Sequence, residues 1–203
     1  MSRNIIAILR GLRPEEARDM TDALIDAGIT KIEVPLNSPQ PFDSIATMLD
    51  QAKGRATVGA GTVLSPEAVA QLSAIGAQMV VSPDCNPDVI RATKSAGMLS
   101  YPGVFTASEC FSALRAGADG LKFFPAFKLG LDGFSALKAV LPKDAETYAV
   151  GGVGPADFAD WQKAGITGFG MGSSLYKPGH SAKEVARLAA ETVAAYDEAF
   201  DGQ

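Results

Sequence analysis

Residues 26–35 read DAGITKIEVP, and the stretch changes character at Gly28. Before it, EEARDMTDALIDA carries apolar residues at helical spacing; after it, KIEVP is a short β-rich run. Glycine tolerates the left-handed backbone on which many helices end, so the stretch reads as helix, tight turn and strand. The same pattern returns at KGRAT (53–57), IGAQM (75–79), SAGML (95–99), RAGAD (115–119) and KAGIT (163–167). Successive glycines lie twenty to twenty-six residues apart until the last gap, which is about twice as long. In the middle of that gap, LPKDAE (141–146) supplies a turn without glycine.

The runs that follow these turns are KIEVP, TVGAG, MVVSP, LSYPG, LKFFP, YAVGG and GFGMG. With IIAILR at the start they make eight strands alternating with helices. Apolar strands joined by crossover helices indicate a parallel sheet covered on both faces. Eight at this period close into a (β/α)8 TIM barrel, an α/β fold; an open doubly wound sheet is the alternative. No linker or low-complexity segment divides the chain. Residues 1–203 are therefore expected to form one barrel domain, with a last helix near 181–200 and a polar tail.

At 47% hydrophobic and 20% charged, the chain can bury a core. A net charge of -5 argues against a general nucleic-acid binder but not against a small anionic ligand, because a local site can oppose the global sign. No apolar run is long enough to cross a membrane. The opening MSRNIIAILRG lacks a small-residue cleavage site and reads as the first strand rather than a signal peptide. Because the chain begins almost on that strand, a segment covering the barrel floor is not expected. Two cysteines, Cys85 and Cys110, make no disulfide framework, which suits a reducing cytoplasm. With His180 the only histidine, no imidazole-based metal site is expected.

In such barrels the chemistry sits at the C-terminal ends of the strands. The polar and turn-forming residues at those ends are Arg10, Glu33 with Asn37, Thr62, Ser82 with Pro83, Tyr101, Lys122, Gly151 with Gly152, and Gly172 with Ser173 and Ser174. Lys122, within GLKFFP (120–125), is the one lysine expected in a strand interior. Both faces of a barrel strand are dry, and desolvation favours the neutral amine, a nucleophile toward ketones. The structural alternatives are a buried ion pair with Glu33 or a side chain that reaches the barrel mouth. Lys128 is a competing amine in a flexible setting. Glu33 suits proton transfer or a counter-ion role to Lys122 or Arg10. GGVGP (151–155) and GMGSS (170–174) follow the last two strands, where such barrels commonly bind phosphate through backbone N–H groups. Arg10 is placed to grip a carboxylate or to form a surface salt bridge. Thr62 either bonds that carboxylate or finishes its strand. Phe124 is expected to pack, and His180 to cap the last helix or lie on the surface.

With these residues assembled, the chain resembles the keto-deoxy-phosphogluconate/galactonate aldolase family. The motifs run in order: IIAILRG, IEVPLNSP, VGAGTVL, VSPD, the PG of YPGVFTASE, LKFFPA, ALKAVLP, AVGGV and GMGSSLY. The resemblance implies a lyase of class I, acting through a Schiff base without metal or cofactor, in a trimeric barrel. Its reaction releases pyruvate and D-glyceraldehyde 3-phosphate. By position it implies Lys122 as the Schiff-base lysine and Glu33 as the general acid/base. It places Thr62 and Pro83 at the pyruvate end, and Gly151, Gly152, Gly172 and Ser173 in the phosphate loops. Within the family, the gluconate group has an arginine shortly after the strand-two glutamate, where this chain has Asn37; the galactonate group has the strand-one arginine, matched by Arg10. The gluconate group has threonine before the strand-seven glycines, where Val150 stands here and makes the pocket wall more apolar. Both differences favour the galactonate substrate over its gluconate epimer. The loop PAFKLGLDG departs from the galactonate group's SSAFGP segment. Outside aldol chemistry, a phosphosugar isomerase or epimerase and a non-catalytic binding barrel are the alternatives. No nucleic-acid or membrane partner is expected.

Overall fold

The computed structural model describes residues 3–200. Nine parallel strands form one sheet: β1 (Ile5–Ile8), β2 (Lys31–Pro35), β3 (Thr57–Gly61), β4 (Met79–Val81), β5 (Leu99–Tyr101), β6 (Gly103–Val104), β7 (Gly120–Phe123), β8 (Glu146–Val150) and β9 (Gly168–Met171). The helices are α1 (Ala17–Ala27), α2 (Pro41–Ala52), α3 (Pro66–Ala74), α4 (Pro87–Ser95), α5 (Ala107–Arg115), α6 (Ala126–Lys138), α7 (Phe158–Lys163) and α8 (Ala182–Phe200). The polar tail expected after α8 lies outside the described residues.

Strand order runs β5-β4-β3-β2-β1-β9-β8-β7-β6. The eight expected strands are all present, and the ninth arises because the fifth is split at Pro102. Proline has no N–H to give to the ladder, so pairing is interrupted there. β5 pairs with β4 and β6 with β7. The seam is closed by Asp119 N–H donating to the Ser100 carbonyl at 3.0 Å and Lys122 N–H to the Pro102 carbonyl at 2.9 Å. In the middle of the order, Ile5, Ile6 and Ala7 pair with Phe169, Gly170 and Met171, joining the first strand to the last.

The helix ends follow the glycine pattern. Gly28 caps α1 at φ 96°, and its N–H donates to the Ile25 carbonyl at 2.9 Å. One end differs: α2 stops on Lys53, itself left-handed at φ 47°, and Gly54 follows it. At the other ends of the helices, proline opens α2, α3 and α4, where no intrahelical N–H is needed. Thr106 and Glu109 form a reciprocal capping box on α5.

Alternation along each strand divides the interior in two. One set, including Ile32, Val34, Val58, Leu121, Phe123 and Phe169, packs between strands and helices. The other, Ile6, Ile8, Met79, Val81, Tyr101, Tyr148 and Val150, fills the barrel. The large rings need small neighbours. A Cβ on Gly168 would lie 2.4 Å from the Asn4 carbonyl oxygen and 2.6 Å from the Tyr148 ring.

The lower half of the barrel corrects one expectation. Tyr101 is not at the mouth: the strand continues to Val104, and the Tyr101 ring packs edge-on to Tyr148 at 5.2 Å. A second lysine is also directed inward, at a strand start. Lys31, the first residue of β2, donates to Asn4 Oδ1 at 3.0 Å and Tyr148 Oη at 2.9 Å. Tyr148 in turn donates to Glu146 Oε2 at 2.8 Å. Burial lowers the Lys31 pKa, partly opposed by Glu146 and Asp119. Lys31, Asn4, Tyr148 and Glu146 thus form one connected polar network at the lower end of the barrel.

Gly168→Ala is expected to cost about 1–3 kcal/mol by overpacking against Tyr148 and the Asn4 backbone. A urea midpoint equal to that of the native chain would show that the rings do not require the gap.

Candidate active site

The upper half of the barrel opens into a cavity of about 390 Å³. Ile8 and Arg10 line it from the first strand, Lys122 and Phe124 from the seventh strand of the chain, and Val150 to Gly154 from the end of β8. Gly170, Gly172, Ser173 and Ser174 complete it from β9 and the loop beyond. A second cavity of about 420 Å³ shares Ile8, Arg10, Gly172 and Ser173 with the first and adds Asn37, Tyr176 and Lys177. Arg10 therefore stands between two connected spaces, and its Nη1 donates to Asn37 Oδ1.

Lys122 is inward on β7, opposite Gly103 and Tyr148 in register. It is 7% exposed, and its side chain makes no hydrogen bond or ion pair among the described residues; its Nζ stands 4.9 Å from the Phe124 ring centroid. Burial lowers its pKa; Glu33 acts to raise it and Arg10 to lower it further. The expected alternative of a Glu33–Lys122 ion pair is absent among the described residues, although the two groups feel each other's charge.

Glu33 comes from β2, lines neither cavity and is 1% exposed. Its Oε2 is buried with no hydrogen-bond partner among the described residues. Burial pushes its pKa up to about 7, against the opposing pull of Lys122 and Arg10. A carboxyl in that state can hold or release a proton near neutrality.

Gly151 and Gly152 are left-handed, at φ 90° and 71°, a turn that L side chains resist. The amides of Gly152, Ser173 and Ser174 make no hydrogen bond among the described residues and flank the cavity, which suits an anion. Val150 is 5% exposed and presents the apolar wall expected of it.

Other expected residues sit apart. Thr62 and Pro83 line neither cavity. Thr62 follows β3 at φ 56°, an uncommon conformation for a β-branched residue. The Pro83 carbonyl lies against Gly103, where a Cβ would approach within 2.2 Å. Ser82 is structural: its hydroxyl donates to the Val63 carbonyl at 2.7 Å. Lys128 is exposed near the Phe127 ring and lines neither cavity. His180 precedes α8 without capping it; the Ser181 hydroxyl accepts from Glu184 N–H at 3.2 Å. Phe124, expected to pack, is 38% exposed and lines the cavity. Sequence reasoning also missed Ile8 and Gly170. Each lies two residues before a predicted mouth residue, Arg10 or Gly172, so strand alternation was the available signal. Among the described residues, no group of three His, Cys, Asp or Glu side chains is placed to hold a metal ion.

Comparison with known proteins agrees with this geometry. The chain is 53% identical over 203 residues to the probable 2-dehydro-3-deoxy-6-phosphogalactonate aldolase of Rhizobium meliloti (strain 1021), covering 100% of this chain and 96% of that protein. It is 48% identical over 195 residues to the 2-dehydro-3-deoxy-6-phosphogalactonate aldolase of Escherichia coli (strain K12), covering 96% and 95%. A solved structure described as native KDPGal superposes with a TM-score of 0.97 at 47% identity, covering 99% of this chain and 98% of that one. The model of the KDPG and KHG aldolases matches residues 1–190, and the chain belongs to that aldolase family.

Proposed function

We propose that the protein cleaves 2-dehydro-3-deoxy-6-phosphogalactonate to pyruvate and D-glyceraldehyde 3-phosphate through a Schiff base on Lys122. The carrying observation is the Lys122 amine: inward, desolvated, without a hydrogen-bond partner among the described residues, and facing a cavity edged by two glycine loops. The neutral amine attacks the C2 ketone, and loss of water leaves an imine. Protonated, the imine accepts the electron pair of the breaking C3–C4 bond, while a base takes the C4 hydroxyl proton and the aldehyde departs. Protonation of the enamine at C3 and hydrolysis of the imine release pyruvate and restore the amine.

Glu33 is the proton carrier in this reading, because its buried carboxyl titrates near neutrality. Arg10 orients the carboxylate of the substrate. Gly151, Gly152, Gly172 and Ser173 hold the phosphate through unspent N–H groups and a hydroxyl, so binding far from the reacting carbons positions them. Val150 and Asn37, in place of threonine and arginine, favour the galactonate substrate over the gluconate epimer. The working protein is a cytoplasmic homotrimer acting in galactonate degradation. Apolar side chains left open at the mouth, Phe105, Phe127 and Leu131 at 40%, 59% and 38% exposure, support self-association. Among the described residues no helix is long and apolar enough to cross a membrane.

Incubation with pyruvate and borohydride is expected to leave a reduced adduct on Lys122, detected by peptide mass. Lys122→Arg, correctly folded, is expected to lose cleavage by at least about 10³-fold. An unmodified lysine together with phosphosugar isomerisation would favour the isomerase alternative, and relative cleavage of the two epimers decides the substrate.

Glu33 also makes stability depend on pH. The folded chain keeps this proton to about pH 7, whereas the ordinary value is 4.5. Between those values the folded state binds the extra proton, so stability falls as pH rises through the window. Relative to Glu33→Gln, which cannot titrate, the native chain is expected to lose roughly 3 kcal/mol from about pH 4 to about pH 8. Urea midpoints of the two proteins that keep a constant separation across that range would contradict the shift.

A further inference from the structure

We propose that Gly61 is a positioning residue for Glu33: the last residue of β3 presents no side chain, and the carboxylate stands in the space this leaves. The inference rests on the reading of Glu33 as proton carrier for its consequence in catalysis, but its steric part stands on geometry alone. A Cβ built on Gly61 would lie 2.0 Å from Glu33 Oε2, 2.3 Å from Oε1 and 2.3 Å from Cδ. All three neighbours belong to the one carboxylate, and contacts so short do not occur between real atoms. Among the strand glycines of the described residues, the others press on backbone, rings or aliphatic groups; Gly61 alone faces a carboxylate.

The backbone on either side has little freedom to give way. Pro35 of β2 pairs with Gly61, and the Leu36 N–H donates to the Gly61 carbonyl at 2.8 Å. Glu33 itself pairs with Gly59 in the same register. Thr62, next along the chain, is left-handed. The chain therefore changes direction at once after the gap. The carboxylate is left with a buried oxygen that no described residue satisfies, as a group kept for exchange with a substrate or water would be. Adding one methyl group must push the carboxylate away from its present place relative to Lys122.

A double-mutant cycle separates this from a general packing effect. Gly61→Ala is expected to lower the Tm by several degrees in the native chain and by about one degree or less in Glu33→Ala, where the methyl meets no carboxylate. If Gly61→Ala alone does not fold, restored folding in Glu33→Ala/Gly61→Ala supports the proposal, and continued failure overturns it. Equal Tm losses in both backgrounds also overturn it. The functional readout is exchange of the methyl protons of pyruvate in deuterium oxide, which needs enamine formation and a placed proton carrier. Folded Gly61→Ala is expected to lose about 10²-fold or more in exchange, with a displaced pH profile, and Glu33→Gln to lose a similar amount. Unchanged exchange and an unchanged profile in Gly61→Ala would overturn the positioning role. If the native protein forms no pyruvate adduct at Lys122, the aldolase reading fails instead, and the Tm cycle still decides whether Gly61 holds the place for Glu33.

Discussion

A sheet closed on itself has no wet face, so every polar side chain directed inward must find a partner or remain unpaired in a dry interior. The protein contains both outcomes, one at each end of the barrel. At the floor, the Lys31 ammonium has an amide oxygen and a tyrosine hydroxyl, with Glu146 one step further along. At the mouth, among the described residues, Lys122 has only the face of Phe124 and Glu33 an unpaired oxygen. The same fold treats two lysines in opposite ways.

That asymmetry shapes the electrostatics. Lys122 and Glu33 are each disfavoured in their charged forms by burial, and each is partly rescued by the other. Arg10 works against the lysine and with the glutamate, so a single cation at the rim biases both groups toward a neutral amine and an ionised acid. The loops after β8 and β9 add partial positive charge without a titratable group, a setting suited to an anion at any pH near neutrality.

Much of the fold was legible because glycine marks where helices stop and apolar runs mark where strands begin. Gly28, Gly76, Gly97, Gly117 and Gly165 all stand left-handed at the predicted turns. The split at Pro102 was not legible as such: LSYPG reads as one strand, and only the ladder shows which neighbour each half pairs with. Lys122, Glu33, Arg10 and the two glycine loops were visible as polar or turn-forming residues at strand ends. Tyr101 was misplaced because a strand that continues past a proline moves its apparent end. Ile8, Gly170 and Gly61 escaped attention because an apolar residue or a glycine inside a strand looks like packing. Their meaning depends on what stands across the barrel from them, and that relation between distant segments is not written in either segment alone.

The pairing of β1 with β9 carries a consequence for biosynthesis. On the side away from β2, Ile5 to Ala7 pair with Phe169 to Met171, so the first strand made waits for the last one to complete its pairing. Until then the growing polypeptide is an open, sticky ribbon with two unpaired margins. Arg10 and the Ser173 loop likewise come together only after the ribosome has delivered both ends. A truncated or stalled translation product therefore has Lys122 but not the enclosure whose burial lowers its pKa, and the closed cavity arrives in one step at the close of synthesis.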